Sequence, residues 1–568
     1  MTTTSAGSPV LSVVVPAYNV GAWVRECLSS ILDDQDADLE VVVVDDGSTD
    51  DTWDIVTGFA ASHPEVRAVR SPGVGGAQAR NYGAEIARGE YLAFADADDL
   101  VPRGAYPRML DAARAGNADM VAGSFLKFYT TRTWRPTWRW PAFHEPRTGV
   151  TLADQPSLIC NRACWNRVFR RDFWFREGIY FPTVPRSNDI VPMTKALVAA
   201  KRIAVVPDTV YLYRDRPGSS SMSSQSAGLD SFVSYLSQEI VCRELVSSVG
   251  DATLDREYGR LFARADGWVH LVKFLDGLDT GTADAGGLEL AREMLARQIS
   301  ELPQDVLDDL GPAQRWAYGL AAAGHWSLAA ELAEHTEDLS KLDPTWFFRA
   351  DLTSIGSLSL SDAELRKTVN EHVFGPILGG RRRFDPDDAA LLAESAVTFR
   401  RIFPTESRHW SSEPAQRLTL AVKSGDSSEI EKELRKPLLR FREPVLAVQG
   451  GRAVLVTRCT RPELGPPAVV AVRGGHRHVF DTVSFDPETG ALTASASLRH
   501  LASGPVSIRL QVEDPLGTVE TNVTPTLADG SVTRRVLRVL GNGQVDIRHG
   551  ARRMIRAARG AGRRILQR

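Results

Sequence analysis

The strongest constraint on this chain is the form of its apolar runs near the amino end. Leu11-Ser12-Val13-Val14-Val15 and Leu39 to Val44 are nearly continuous rather than alternating, and Tyr91 to Ala95 repeats the form. A strand that is apolar on both faces needs cover on both. Between the runs lie stretches of helical spacing, with Trp23, Cys27, Leu28 and Ile31 in one and Ala77 to Ala87 forming another. This alternation predicts an α/β fold with a parallel sheet between two helical layers. Val66 to Val69 and Asp119 to Phe125 read as further strands, and Gly104 to Ala115 as a further helix. Thr49 or Asp50 is placed to cap the helix after the second run.

In such a sheet, ligands sit beyond the carboxyl ends of the strands. Three runs end in polar residues: Pro16-Ala17-Tyr18-Asn19, Asp45-Asp46-Gly47-Ser48 and Asp96-Ala97-Asp98-Asp99. Carboxylates crowded at the end of an apolar strand repel one another, which favours a cation among them. Hard oxygen ligands suit Mg²⁺ or Mn²⁺, ions that share their shell with substrate phosphates. Tyr18 can stack on a base, and Asp46 can accept from the imide N–H of uracil. Arg80 follows the glycines Gly73, Gly75 and Gly76 and can contact a base or a diphosphate. Taken singly, these residues are also a packing aromatic, a turn former and a surface charge. Their joint placement at successive strand ends points to a nucleotide.

The series VVVPAYN, VVVVDDGSTD and ARNYGAEIARGEYLAFADADD resembles the motifs of inverting family 2 glycosyltransferases with the GT-A fold, over about residues 1–222. The resemblance implies that Pro16, Tyr18 and Asp46 hold uridine and that Arg80 lies near the nucleotide. It implies that Asp96 contacts the sugar nucleotide and that Asp98 binds the metal, Mn²⁺ or Mg²⁺. Pro72 stands where the family often has Asn, and proline offers no amide donor. In Pro185-Arg186-Ser187-Asn188-Asp189, the family's Glu-Asp pair becomes Asn188-Asp189. The second acid, Asp189, is then the general base; its plainer reading is an acid at a helix start.

Tyr211 to Gly218 carries Arg214 and Arg216 and leads into the serine-rich 219–224. A flexible segment beside arginines suits a loop closing on a diphosphate, or a plain linker. Phe181-Pro182, Asp189, Arg216 and Met222-Ser223-Ser224 are similar to the wall teichoic acid glycosyltransferases. That narrower resemblance implies N-acetylglucosamine transfer from its UDP-sugar to a ribitol phosphate polymer, a helical linker and a C-terminal assembly module.

The chain has 568 residues, which leaves room for three or four domains. The reading divides it into a catalytic domain at 1–222, a helical linker at 223–340 and a mostly helical region at 341–440. A β-sandwich at 441–530 and a basic tail at 531–568 complete it. Leu229 to Val246, Leu261 to Leu275 and Ala313 to His335 read as amphipathic helices. Val445 to Val456, Pro467 to Val472, His478 to Phe485, Ala491 to Leu498 and Val506 to Val512 read as strands of a single antiparallel sandwich. The net charge of −4 hides a tail, Arg548 to Arg568, with eight arginines and no acid. That tail reads either as a tether to an anionic membrane or as a solvated segment. It has no aromatic residue, which disfavours nucleic acid.

No run of 18 apolar residues is present, and the first residues lack an apolar signal core. Five scattered cysteines fit a reducing compartment. The expectation is a cytoplasmic enzyme, peripheral to the inner membrane face if the tail binds it. Its partners would be a UDP-sugar donor, a polymeric or lipid-linked envelope acceptor, and further copies of itself if the C-terminal module assembles. Two other classes stay open. A sugar-nucleotide pyrophosphorylase is disfavoured by PAYN in place of a glycine-rich first loop. A non-catalytic carbohydrate-binding scaffold is disfavoured by the presence of both Asp98 and Asp189.

Overall fold

The computed structural model of the chain describes residues 9–342 except 34–37, 72, 74, 130, 216–227 and 280–281, isolated positions between 346 and 428, and 441–547 except 460–465, 474–475, 499–500, 502–503, 515–516, 524, 528–536 and 540–543. Pro72, Arg216, Met222 to Ser224, nearly all of 343–440 and the tail from Arg548 lie outside the described residues. The chain divides into two compact units, Met1–Glu337 with Leu352–Ser359, and Asp338–Asp351 with Leu360–Arg568.

The first unit opens with β1 (Leu11–Ala17), α1 (Val24–Leu32), β2 (Leu39–Asp45), α2 (Thr52–Ser62), β3 (Val66–Arg70), α3 (Gly76–Ile86) and β4 (Tyr91–Phe94). It continues with α4 (Ala105–Ala115), β5 (Met120–Phe128), β6 (Thr133–Trp134), β7 (Arg147–Val150), β8 (Arg167–Arg170), α5 (Arg171–Arg176), α6 (Ile190–Ala199) and β9 (Ile203–Arg214). The sheet order is β3-β2-β1-β4-β8-β5-β9-β7, with β6 on β5. Strands β1 to β4 are mutually parallel where they pair. Strand β8 runs against both β4 and β5, so β5 points the same way as β4. Strand β9 is parallel to β5. The carboxyl ends of β1, β2, β4, β5 and β9 therefore lie on one side.

The continuous apolar runs are explained by burial on both faces. Val13 to Val15, Val41 to Val44 and Leu92 to Phe94 are all 0% exposed. Full burial of each valine, leucine or phenylalanine side chain among them contributes about 1.5–3 kcal/mol. Helix α3 sits close to the sheet at Gly83, where an added Cβ would lie 2.4 Å from Val14 Cγ1. Asp50, one of the two expected caps, accepts from Thr52 N at 3.0 Å at the start of α2.

Helices α7 (Leu229–Ser247), α8 (Ala252–Arg264), α9 (Asp266–Asp276), α10 (Ala285–Ser300), α11 (Gln304–Asp308), α12 (Pro312–Ala322) and α13 (Trp326–Ala333) follow. Two expected helices are each split. The stretch Leu261 to Leu275 breaks at Ala265 (φ −128°, ψ −94°), because a Cβ at Gly267 would already meet the Phe262 carbonyl at 2.5 Å. Ala313 to His335 breaks at Gly324, whose φ of +84° ends α12. Arg162 ties this helical layer to the sheet domain. Its guanidinium donates to Glu239 Oε2 and Oε1 at 3.0 and 2.7 Å and to Asp266 Oδ2 at 2.7 Å. No helix among the described residues is long and apolar enough to cross a membrane.

In the second unit a five-stranded and a six-stranded sheet share one core, which includes Leu455, Val469, Leu492, Ile508 and Leu510. The expected strand Val445 to Val456 is a hairpin, Phe441–Gln449 and Arg452–Cys459, because Gly450 and Gly451 (φ +54° and +82°) turn the chain. The expected strand His478 to Phe485 is also two, and its halves join different sheets. Strands Leu537–Val539 and Val545–Ile547 pair with each other, and the latter pairs with Gly504–Asp514, so sheet structure runs past residue 530 into the segment read as tail.

Candidate active site

The turns after β1, β2 and β4 meet at the carboxyl edge of the sheet. Asp46 N donates to Ala17 O at 2.8 Å, which joins the first two turns. Asn19 takes the left-handed φ of +49° that asparagine tolerates, and its Oδ1 accepts from Thr49 N at 2.8 Å. Pro16 stays inside β1 opposite Val44, while Tyr18 stands clear of the strand at 59% exposure. Asp46 is buried. Its Oδ1 accepts from Ser71 Oγ, and its Oδ2 accepts from Gly75 N at 2.8 Å. Gly75 has φ +99°, so only glycine presents that amide without strain.

Arg80 is the hub. Its Nη2 donates to Asp96 Oδ1 at 2.6 Å, and its Nη1 reaches Asn188 Oδ1 at 3.5 Å. The guanidinium lies over the Phe181 ring at 5.5 Å. Burial acts to lower its pKa, but the Asp96 carboxylate first, then Cys164 and more weakly Asp189, outweigh burial and keep the guanidinium charged. Phe181 is fixed in turn by Asn81 on α3, which donates to its carbonyl at 2.8 Å and accepts from its amide at 2.9 Å. One helix, α3, thus places both the arginine and the loop that leads to Asp189.

Asp189 stands at the N-cap of α6, the helix start its plainer reading expects, although its side chain makes no capping hydrogen bond there. Burial raises its pKa and Asp96 adds to this, while Arg80 pulls it back. Arg80 is thus bonded to Asp96 and interacts electrostatically with Asp189, an acid 93 residues further along the chain.

The acidic turn is held from below. Asp96 N donates to Tyr211 Oη at 2.9 Å, and the buried Cys27 Sγ lies 3.4 Å from Asp96 O. Arg214, at the end of β9, donates its amide to Asp99 Oδ1 at 2.7 Å and its Nε to Asp98 O at 2.8 Å. Asp99 is 1% exposed, and burial with Asp98 and Asp96 beside it drives its pKa well above the ordinary carboxylate range. Asp98, in contrast, is partly exposed. Among the described residues no group of three His, Cys, Asp or Glu side chains could hold a metal ion. A single partly exposed carboxylate still fits Mg²⁺ or Mn²⁺, which keep waters and take most other ligands from substrate phosphates.

The geometry brings together Asp46, Arg80, Asp96, Asp98 and Asp189 with Pro16 and Tyr18 at one sheet edge. Ser71, Tyr211 and the bond from Arg80 to Asn188 were not foreseen. Only tertiary structure brings Ser71 to Asp46 and Tyr211 to Asp96, across 25 and 115 residues.

The sequence profile of the glycosyl transferase family 2 matches residues 12–174. The uncharacterized glycosyltransferase EpsJ of Bacillus subtilis is 28% identical over 219 residues, 37% of this chain and 62% of that protein. The poly(ribitol-phosphate) beta-glucosyltransferase of Bacillus spizizenii is 31% identical over 210 residues, 36% of this chain and 32% of that protein. The chain thus spans about six-tenths of the length of the first relatives it matches. The crystal structure of S. aureus TarS 1-349 in complex with UDP-GlcNAc is 22% identical with a TM-score of 0.46, covering 58% of this chain and 91% of that one.

Proposed function

We propose that the chain, whose residues 12–174 match the profile of glycosyl transferase family 2, moves a sugar from a UDP donor to a cell-envelope polymer, with inversion at the anomeric carbon. The observation that carries this reading is the Asp96–Arg80–Asn188 bridge, which puts Asp189 beside the acidic turn. Asp189 takes the proton of the acceptor hydroxyl as the new glycosidic bond forms and the bond to the diphosphate breaks. Its raised pKa makes it a stronger base than an exposed aspartate. Arg80 orients Asp96 toward the donor and places positive charge near the leaving group. Asp46 and Tyr18 hold the uracil, the first by accepting its imide N–H and the second by stacking. Asp98 would hold Mn²⁺ or Mg²⁺, which neutralises charge developing on the departing diphosphate.

The donor sugar this reading takes is N-acetylglucosamine, from the likeness to teichoic acid enzymes, and the acceptor is a polyol phosphate polymer. A relative named for poly(ribitol phosphate) supports the acceptor class. The basic tail would bring the enzyme to an anionic membrane surface where such polymers are built. The test is UDP release from UDP-N-acetylglucosamine, UDP-glucose and UDP-galactose, with Mn²⁺ and then with chelator, followed by the mass of the modified polymer. Metal-dependent release with a mass gain of one N-acetylhexosamine per site supports the proposal. Release of UTP in pyrophosphate, or no turnover of any donor, overturns it.

A further inference from the structure

Between β5 and β7 the chain makes an excursion that the site described above does not use. From Met120 to His144 it carries Lys127, Arg132, Arg135 and Arg139 and no carboxylate. It leaves the carboxyl end of β5 as β6, whose Thr133 and Trp134 pair with Phe128 and Lys127. That end lies on the same side of the sheet as the acidic turn after β4.

The excursion is anchored from within and open outward. Pro136 and Thr137 are buried, and Thr137 Oγ1 is bonded to Ser124 Oγ of β5. Trp140 packs on Phe125 at 6.3 Å, Phe125 meets Trp165 edge-on at 4.8 Å, and Trp165 stacks on Tyr211 at 4.4 Å. Tyr211 is the residue that holds Asp96 N. An unbroken aromatic path therefore joins the excursion to the floor of the acidic turn. Its other side chains face solvent: Trp138 is 60% and Trp134 36% exposed, and Arg132, Arg135 and Arg139 are exposed as well. Arg139 lies over both tryptophan rings, at 5.5 and 5.6 Å from their centres. Arg135 donates to Thr209 Oγ1 at 2.9 Å. None of the three arginines forms an ion pair with a carboxylate among the described residues.

We propose that Trp134, Trp138, Arg132, Arg135 and Arg139 form the surface that holds the acceptor polymer, and that this polymer is a polyol phosphate. The inference rests on the function proposed above and adds the place where the acceptor lies. Guanidinium forks match phosphodiester oxygens, and the C–H faces of a polyol or its attached sugars pack on indole. Three arginines within eight residues call for closely spaced negative charge. A polyol phosphate carries a charge at every repeat, whereas a polymer that alternates a uronic acid with an amino sugar carries one carboxylate per disaccharide.

The test uses the full chain with poly(ribitol phosphate), and with neutral dextran as control. Arg132→Gln with Arg139→Gln raises the polymer KM about tenfold, and Trp134→Ala with Trp138→Ala does so by about tenfold. Donor hydrolysis in the absence of polymer stays at the parent rate in both. The slope of log KM against log salt falls by about 0.7 for each arginine removed, as for a flexible single-stranded polyanion. Arg139→Lys keeps the charge and recovers part of the loss, which separates binding from folding. Parent KM and salt slope in both double variants overturn the inference, as does equal affinity for dextran. A dimer that dissociates on Trp134→Ala with Trp138→Ala also overturns it, since a second copy would then cover the surface. If the parent protein turns over no donor, the proposed function fails by itself. Gel retardation by poly(ribitol phosphate) then decides: retention lost in the variants supports the surface, and unchanged retention overturns it.

Discussion

The two ends of the central sheet treat buried carboxylates in opposite ways. At the amino end, Glu40 is 3% exposed and surrounded by donors. Ser12 Oγ and Arg88 N each reach its Oε1 at 2.6 Å, and Arg88 Nη2 reaches its Oε2 at 2.7 Å. Burial raises its pKa, but these bonds reverse the effect and leave it below the ordinary range. At the carboxyl end, Asp99 is equally buried, yet burial and two neighbouring acids leave its pKa well above that range. One acid is satisfied and the other is crowded. Crowded acids destabilise a fold, so their presence marks the end where chemistry is expected.

If that contrast is right, changes at the carboxyl end move turnover and changes at the amino end move stability. The largest effect is expected from Asp189→Asn, which should cut polymer glycosylation about 10³-fold with the unfolding midpoint unchanged. A loss below tenfold would break the assignment. Because only the ionised form accepts a proton, the parent's kcat/KM should fall as pH drops through the raised pKa of Asp189. The acid limb of its pH profile therefore lies above the ordinary aspartate value of about 3.9. Arg80→Lys comes next. It keeps the charge but loses the fork that spans Asp96 and Asn188. The donor KM should rise about tenfold, read from initial rates of UDP release.

The stability arm of the comparison is smaller and has two signs. Glu40→Gln leaves Arg88 and Ser12 poorly matched and should cost about 2 kcal/mol in urea unfolding at neutral pH, with donor turnover unchanged. A lowered folded pKa gives stability that is present above the unfolded pKa and lost as pH falls through the folded value. The Glu40→Gln difference should therefore shrink toward pH 3. Asp99→Asn runs the other way. A raised folded pKa means a cost that is full above that pKa and absent below the ordinary one. Asn keeps an acceptor for Arg214 N, so the variant should be about 1 kcal/mol more stable at neutral pH and equal to the parent in acid. Destabilisation at neutral pH would sink the reading of Asp99 as a crowded acid.

Much of this was legible in the chain because it is local. Continuous apolar runs gave the parallel strands, and the residues just after them gave the acids and Tyr18. What was not legible depends on partners far apart in sequence. Strand β8 is four residues long and inserts antiparallel between β4 and β5, and nothing local marks it. Strand β9 was missed because Pro207 and Asp208 interrupt its apolar pattern, although it runs from Ile203 to Arg214. Helix breaks at Ala265 and Gly324 follow from a tight approach and a single left-handed glycine, and amphipathic spacing continues across both. In the candidate site, the position of Asp189 followed from a motif. Its relation to Arg80 did not, because α3 sets that relation through Asn81 and Phe181.

The finest test concerns Asn188, the residue before Asp189. Its Oδ1 lies 3.5 Å from Arg80 Nη1, at the far end of a hydrogen bond. The neutral amide leaves the arginine's charge to Asp96 and Asp189. Asn188→Glu would add a second acid next to Asp189, and a like charge disfavours ionisation of its neighbour. It would also share Arg80, which now restrains the pKa of Asp189. Both effects push that pKa up, so the acid limb of kcat/KM should move to higher pH by roughly half a unit. The pH-independent rate should change less than about threefold, since the base itself is untouched. A shift to lower pH would mean that the glutamate turns away from Arg80, and that this loop, unlike the acidic turn after β4, has room to relieve its charges.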